Sequence, residues 1–126
     1  MPISETEHRI IQEVTLLLKS KKFRSLRTAY KKGKQKTVII FGRTISFDPE
    51  IPYSGMTYFE KNSFAVGAKA FKNREELIKT LLHEIYRLEK SVIRNTRQAS
   101  QQEVTEETNA AHAFAERTIS YFGNFL

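Results

Sequence analysis

Cysteine and tryptophan are both absent from this 126-residue chain, and it holds only five glycines and three prolines. Without cysteine there is no disulfide scaffold, no thiolate nucleophile and no Cys-based zinc site, so only His, Asp and Glu remain as metal ligands. No apolar run approaches the roughly 18 to 20 residues that span a bilayer. The opening MPISETEH has neither the basic start nor the apolar stretch of a signal peptide. There is no internal repeat and no low-complexity tract. What is present, 40% hydrophobic and 28% charged residues, suits one folded domain over 1–126 with a single core.

A second absence is more informative. From Val14 to Phe47 there is no acidic residue, while ten basic ones occur: Lys19, Lys21, Lys22, Arg24, Arg27, Lys31, Lys32, Lys34, Lys36 and Arg43. The whole chain carries +7, so the remaining residues hold fourteen acidic against eleven basic groups and sum to −3. A run of this kind raises the local concentration of polyanions, and each phosphate contact releases counterions. Phe23 and Tyr30 lie inside it and can stack on bases. The same pattern also fits a solvated surface that only keeps the protein soluble, or an acidic protein partner. The nine residues from Lys19 to Lys36 are the candidate nucleic-acid contacts.

The hydrophobic pattern predicts an α+β domain. Ser4 and Glu7 form a capping box, followed by Ile10, Ile11, Val14, Leu17 and Leu18 at helical spacing, so one helix is expected to end near Lys22. Residues 23–36 read as a basic connector with a turn at Gly33. Thr37–Phe47 reads as two short strands about a Gly-Arg break, and residues 48–55, with Pro49, Pro52 and Gly55, read as a loop. Met56–Glu60 and Ser63–Gly67 suggest a hairpin around Lys61-Asn62, giving an antiparallel sheet of three or four strands. Asn73 with Glu76 opens a helix whose stripe is Leu77, Ile78, Leu81, Leu82, Ile85 and Leu88. A polar loop over 94–102 then leads to a second capping box, Ser100 with Glu103, and a last helix reaching about Phe122.

Chemistry has few places to live. His83 lies within LLHEIYRLEKS, and at about 100° per residue Thr80, His83, Glu84 and Arg87 share a polar strip beside the apolar stripe. Histidine exchanges protons near neutrality and arginine steadies a developing phosphorane charge. An exposed polar face with a Glu84–Arg87 pair would show the same spacing. On the last helix Glu107 and Thr108 project into the apolar sector, where a carboxylate needs a partner, and Arg87 or His83 could supply it. Alternatively Glu106 and Glu107 merely complement the helix dipole. His8 and His112 read as surface or structural residues.

HEIYR resembles the first two positions of the zincin signature H-E-x-x-H, and EETNAAHAFAER resembles the glutamate helix that follows it in gluzincin-type proteases. That resemblance implies His83 and Glu107 as zinc ligands and Glu84 as the base, but Arg87 holds the second ligand position and a guanidinium does not bind zinc, so a zinc site would need His112 as the substitute ligand. The segment 74–122 as a whole resembles the C-terminal toxin domains of bacterial polymorphic toxins of the contact-dependent inhibition and Rhs type. This implies a small basic domain, often a ribonuclease, delivered from a secreted or surface protein into a target-cell cytoplasm and held in check by an acidic immunity protein. The leading expectation is therefore a metal-independent, cofactor-free ribonuclease with tRNA as the favoured substrate. His83 would act as base or acid, Arg87 would stabilise the phosphate, and Glu84 or Glu107 would share the proton work. Thr108 or Tyr86 would bond a phosphate oxygen, and a host activating factor is left open. The alternatives are a zinc-dependent hydrolase and a non-enzymatic nucleic-acid-binding module.

Overall fold

The computed structural model describes residues 3–91 and 99–125. The capping box at Ser4 and Glu7 starts α1 (Glu5–Lys19), which buries Ile10, Ile11, Val14 and Leu17. The expected basic connector is instead a second helix, α2 (Lys21–Lys32). Ser20 ends α1 and caps α2, its hydroxyl accepting from the Phe23 N–H, so the chain turns between the two helices. Phe23, Leu26 and Ala29 form a buried stripe at three-residue spacing, which the surrounding lysines obscure in the sequence. Gly33 closes α2 at φ 67°, a left-handed conformation that glycine adopts without steric cost.

Four strands follow: β1 (Lys36–Ile40), β2 (Arg43–Phe47), β3 (Gly55–Tyr58) and β4 (Ser63–Val66). The break in the first pair falls at Phe41-Gly42, both at positive φ as primed hairpin turns require, and Arg43 opens β2. The sheet order is β1-β2-β4-β3. It is mixed, not wholly antiparallel: β2 runs parallel to β4, with Ile45 beside Phe64 and Phe47 beside Val66. The proline-bearing loop 48–54 carries the chain past one strand position, and the β3–β4 hairpin folds back so that β4 fills the gap. β4 is therefore central and buried along its whole length, while β3 is left as an edge.

Asn73 accepts from the Glu76 N–H and opens α3 (Arg74–Lys90), and the Ser100 capping box opens α4 (Gln101–Thr118). A 3-10 stretch, Ile119–Phe125, continues from α4 and buries Phe122. Residues 92–98 of the expected 94–102 loop lie outside the described residues. α4 returns antiparallel along α3, with Lys79 2.9 Å from Glu116 at one end and a Ser91–Glu107 hydrogen bond at the other. Arg117 ties α4 back to Glu7 of α1 at 2.5 Å. Among the described residues no helix is long and apolar enough to cross a membrane.

One ion cluster joins these layers. Arg43 is buried, and its guanidinium reaches Glu13 of α1 at 2.7 Å, Glu89 of α3 at 2.6 Å and the side-chain oxygen of Asn62 at 2.7 Å. Burial works against its charge, but Glu13 and Glu89 outweigh that and raise its pKa above the ordinary arginine value. Arg43 thus leaves the basic run and becomes part of the interior. Removing it leaves the part-buried Glu13 carboxylate without its cation, so Arg43→Ala is expected to cost about 3 kcal/mol in urea unfolding. Arg43→Met combined with Glu13→Gln should recover a substantial part of that loss. A single variant as stable as the parent would show that the cluster contributes nothing.

Candidate active site

The polar strip of α3 is not a solvated face. Thr80, His83 and Glu84 are all buried, and Arg87 is half-buried. Thr80 turns its hydroxyl to the Glu76 carbonyl one turn back, at 2.8 Å. The next members point toward β3 and α4. The Thr57 hydroxyl on β3 donates to Glu84 Oε1. Glu84 Oε2 lies 3.6 Å from His83 Nε2. The His83 ring faces that of His112 on α4, with centroids 4.4 Å apart. The Arg87 guanidinium lies over Phe59 at 5.1 Å from the ring centroid. Two buried nitrogens in this group, His83 Nδ1 and Arg87 Nε, have no hydrogen-bond partner among the described residues. Unpaired buried donors and acceptors are uncommon, and such groups are often reserved for a ligand or for chemistry.

Gly55 makes the arrangement sterically possible. A Cβ there would sit 2.8 Å from Glu84 Oε2 and 2.9 Å from Thr80 Cγ2, so only glycine lets the edge strand approach the carboxylate this closely.

Burial sets the protonation of the pair. Loss of solvation pushes Glu84 up to about 7, with the Thr57 bond and the Arg87 charge pulling weakly the other way. Loss of solvation, followed by repulsion from His112 and Arg87, drives His83 down to about 3. At neutral pH the imidazole is therefore uncharged and the carboxyl is about half protonated. Two titratable neighbours pushed to opposite protonation preferences are a recurring feature of acid–base sites.

The other expected site residues are distributed around this cluster. Tyr86 stacks on Phe114 at 4.7 Å. Tyr86, Arg87, Lys90, Ser91 and Glu107 line an adjoining cleft of about 130 Å³. Glu107 accepts from the Ser91 hydroxyl. Thr108 is half-buried, and its side chain makes no hydrogen bond among the described residues. His112, peripheral by its sequence pattern, is exposed yet joins the cluster through its ring. Thr57, Gly55 and Phe59 are not legible as site residues in the sequence, since they come from an edge strand and its turn some 25 positions before His83. Among the described residues no three His, Cys, Asp or Glu side chains are arranged to hold a metal ion. The set His83, Glu107 and His112 is thus not assembled as the three-ligand cage of a catalytic zinc.

The basic run lies elsewhere. α2 packs on β1 and β2, whereas α3 presents the cluster to β3. The two edge strands are three strand spacings apart, about 14 Å at ~4.8 Å each. Lys19, Lys21, Lys22, Arg24, Lys31, Lys32, Lys34 and Lys36 are exposed and Arg27 half-exposed, with Lys22 also donating to the Ile39 carbonyl at 3.0 Å. No family model, curated protein or solved structure matches the chain.

The shifted pair makes stability depend on pH. Folded Glu84 keeps its proton up to about 7, whereas an unfolded glutamate releases it near 4.5, so its contribution is complete below 4.5 and lost as pH rises through 7. His83 acts in the opposite sense: its contribution is complete above 6.5 and lost as pH falls toward 3. The two oppose each other between 4.5 and 6.5. Glu84→Gln removes the first effect alone, so the variant should gain on the parent by up to about 3 kcal/mol between pH 4.5 and pH 8. Urea unfolding at both pH values measures this, and a difference that ignores pH would mean Glu84 is not held protonated.

Proposed function

We propose that the protein is a metal-independent ribonuclease, with tRNA the favoured substrate class. The observation that carries this reading is the convergence of His83, Glu84 and Arg87 on one buried strip, where a neutral imidazole, a carboxyl that titrates near neutrality and a guanidinium with an unpartnered nitrogen lie together. These are the groups that in-line cleavage of a phosphodiester requires.

In this reading His83 takes the proton of the ribose 2′-hydroxyl. The 2′-oxygen forms a bond to phosphorus as the bond from phosphorus to the 5′-oxygen breaks. Glu84 gives its proton to that leaving oxygen, and Arg87 balances the charge on the pentavalent phosphate. The products are a 2′,3′-cyclic phosphate and a 5′-hydroxyl. Thr57 fixes the carboxyl through Oε1, and Gly55 leaves it room. The exposed His112 and half-buried Arg87 mark the side open to solvent. The cleft lined by Tyr86, Lys90 and Glu107 seats the nucleotide next to the scissile bond. From the resemblance of 74–122 to polymorphic toxin domains, the proposal extends to an acidic immunity protein as partner and to delivery into a target cell.

Purified protein acting on total bacterial RNA tests this. Cleavage is expected to persist in EDTA and to leave cyclic phosphate ends. His83→Ala, Glu84→Gln and Arg87→Ala should each lower the rate by about 100-fold or more while unfolding cooperatively. Because the working form pairs neutral His83 with protonated Glu84, the rate should fall about tenfold per pH unit above 7. Cleavage abolished by the chelator would return a metal to the mechanism, and RNA left intact by the parent protein would end the ribonuclease reading.

A further inference from the structure

At the N-terminal end of α3, two turns before Glu84, a groove of about 200 Å³ opens where α1, α2 and the first turns of α3 meet. Three arginines reach it, Arg24 and Arg27 from α2 and Arg74 from the start of α3, over a floor that includes Phe23, Phe71 and Leu77. No acidic side chain lines it. The nearest carboxylates of the α3 first turn are engaged elsewhere: Glu76 accepts from the Ser54 hydroxyl at 2.7 Å, and Glu75 lies 3.4 Å from Lys79. Arg24 and Arg27 make no side-chain hydrogen bond or ion pair among the described residues. Arg74 gives one donor, to the Phe125 carbonyl at 3.2 Å. With five N–H donors on each guanidinium, most of this donor set is open.

The groove is also partly organised in advance. Arg27 lies over the Phe71 ring at 5.6 Å, and Phe71 is itself stacked on Tyr30 with centroids 5.0 Å apart. The fork of Arg27 is thus backed by an aromatic pair. Arg74 sits where the α3 dipole presents its positive end. Three converging like charges repel one another unless an anion joins them, and planar guanidiniums match phosphate oxygens two at a time.

We propose that this groove holds single-stranded RNA, with Arg24, Arg27 and Arg74 on successive backbone phosphates and the apolar floor against the base or ribose between them. The inference rests on the ribonuclease reading for its choice of RNA. It places the grip on substrate about 10 Å along α3 from the reacting groups, at ~1.5 Å per residue from Leu77 to Glu84.

The test is fluorescence anisotropy with a labelled 2′-O-methyl oligonucleotide, which offers no 2′-hydroxyl to react, so binding is read apart from any cleavage by His83 and Glu84. The triple variant Arg24→Gln, Arg27→Gln, Arg74→Gln is expected to bind about tenfold or more weakly at 0.1 M salt. Its plot of log affinity against log salt should be shallower by about 2, at ~0.7 for each single-strand phosphate no longer neutralised. Replacing all three by lysine should keep the slope and lose a few-fold in affinity, because the charge stays and the fork goes. Lys31→Gln with Lys32→Gln and Lys34→Gln removes equal charge from the far end of the basic run and should change the slope by less than half as much. Equal losses in the two glutamine triples would mean a diffuse field and overturn the groove. So would no binding by the parent protein. An arginine triple that keeps the oligonucleotide but loses a poly-glutamate peptide would also overturn it, in favour of an acidic protein partner.

Discussion

A guanidinium inside a small domain survives only if carboxylates and hydrogen bonds replace the water it has given up, and Arg43 meets that condition from three directions. Glu13 fixes it to α1, Glu89 to the end of α3, and Asn62 to the turn between β3 and β4. Asn62 in turn donates to the Gly42 carbonyl at 3.2 Å, closing the cluster on the turn that precedes Arg43. These bonds set the second half of α3 against the sheet and fix where the β3 edge runs. The approach of Gly55 and Thr57 to Glu84 depends on both placements. A partner that had to come from one element only could not impose this.

The electrostatics of the His83 strip follow from the same packing. In water, an imidazole and a carboxylate side by side on a helix would form an ordinary ion pair near neutral pH. Here β3 and α4 exclude solvent from both, and desolvation disfavours each charged form more than their proximity favours the pair. The result is a neutral histidine beside a carboxyl that still holds its proton part of the time. The Arg87 charge acts on both in the same direction, lowering each, yet does not overcome burial for Glu84.

Charge and chemistry are separated in space. The basic residues cluster on and beside α2, at the β1 edge of the sheet, and the titrating groups lie at the β3 edge. α3 connects them, since its first turn contributes Arg74 and Leu77 to the arginine-lined groove and its later turns carry His83, Glu84 and Arg87. The buried stripe of α3 holds the two surfaces at a fixed separation.

Local signals determined much of this protein without reference to its fold. The capping boxes at Ser4–Glu7 and Ser100–Glu103, the Asn73 cap and the stripes of α1 and α3 act within a few residues, and the structure has each where the pattern puts it. The grouping of Thr80, His83, Glu84 and Arg87 is equally a consequence of helical spacing. Other features needed tertiary structure. α2 is hidden in the sequence because its three buried residues are interspersed with lysine and arginine, and only packing on β1 and β2 shows which face matters. The parallel β2–β4 pair depends on how a proline loop crosses the sheet, and strand propensity carries no information about neighbours. That Arg43 is interior, that His112 meets His83, and that Gly55 yields to a carboxylate all depend on elements far apart in the chain. Residue type and spacing place a side chain on a face, but what lies opposite that face, and whether water remains there, is decided by the packing of distant segments.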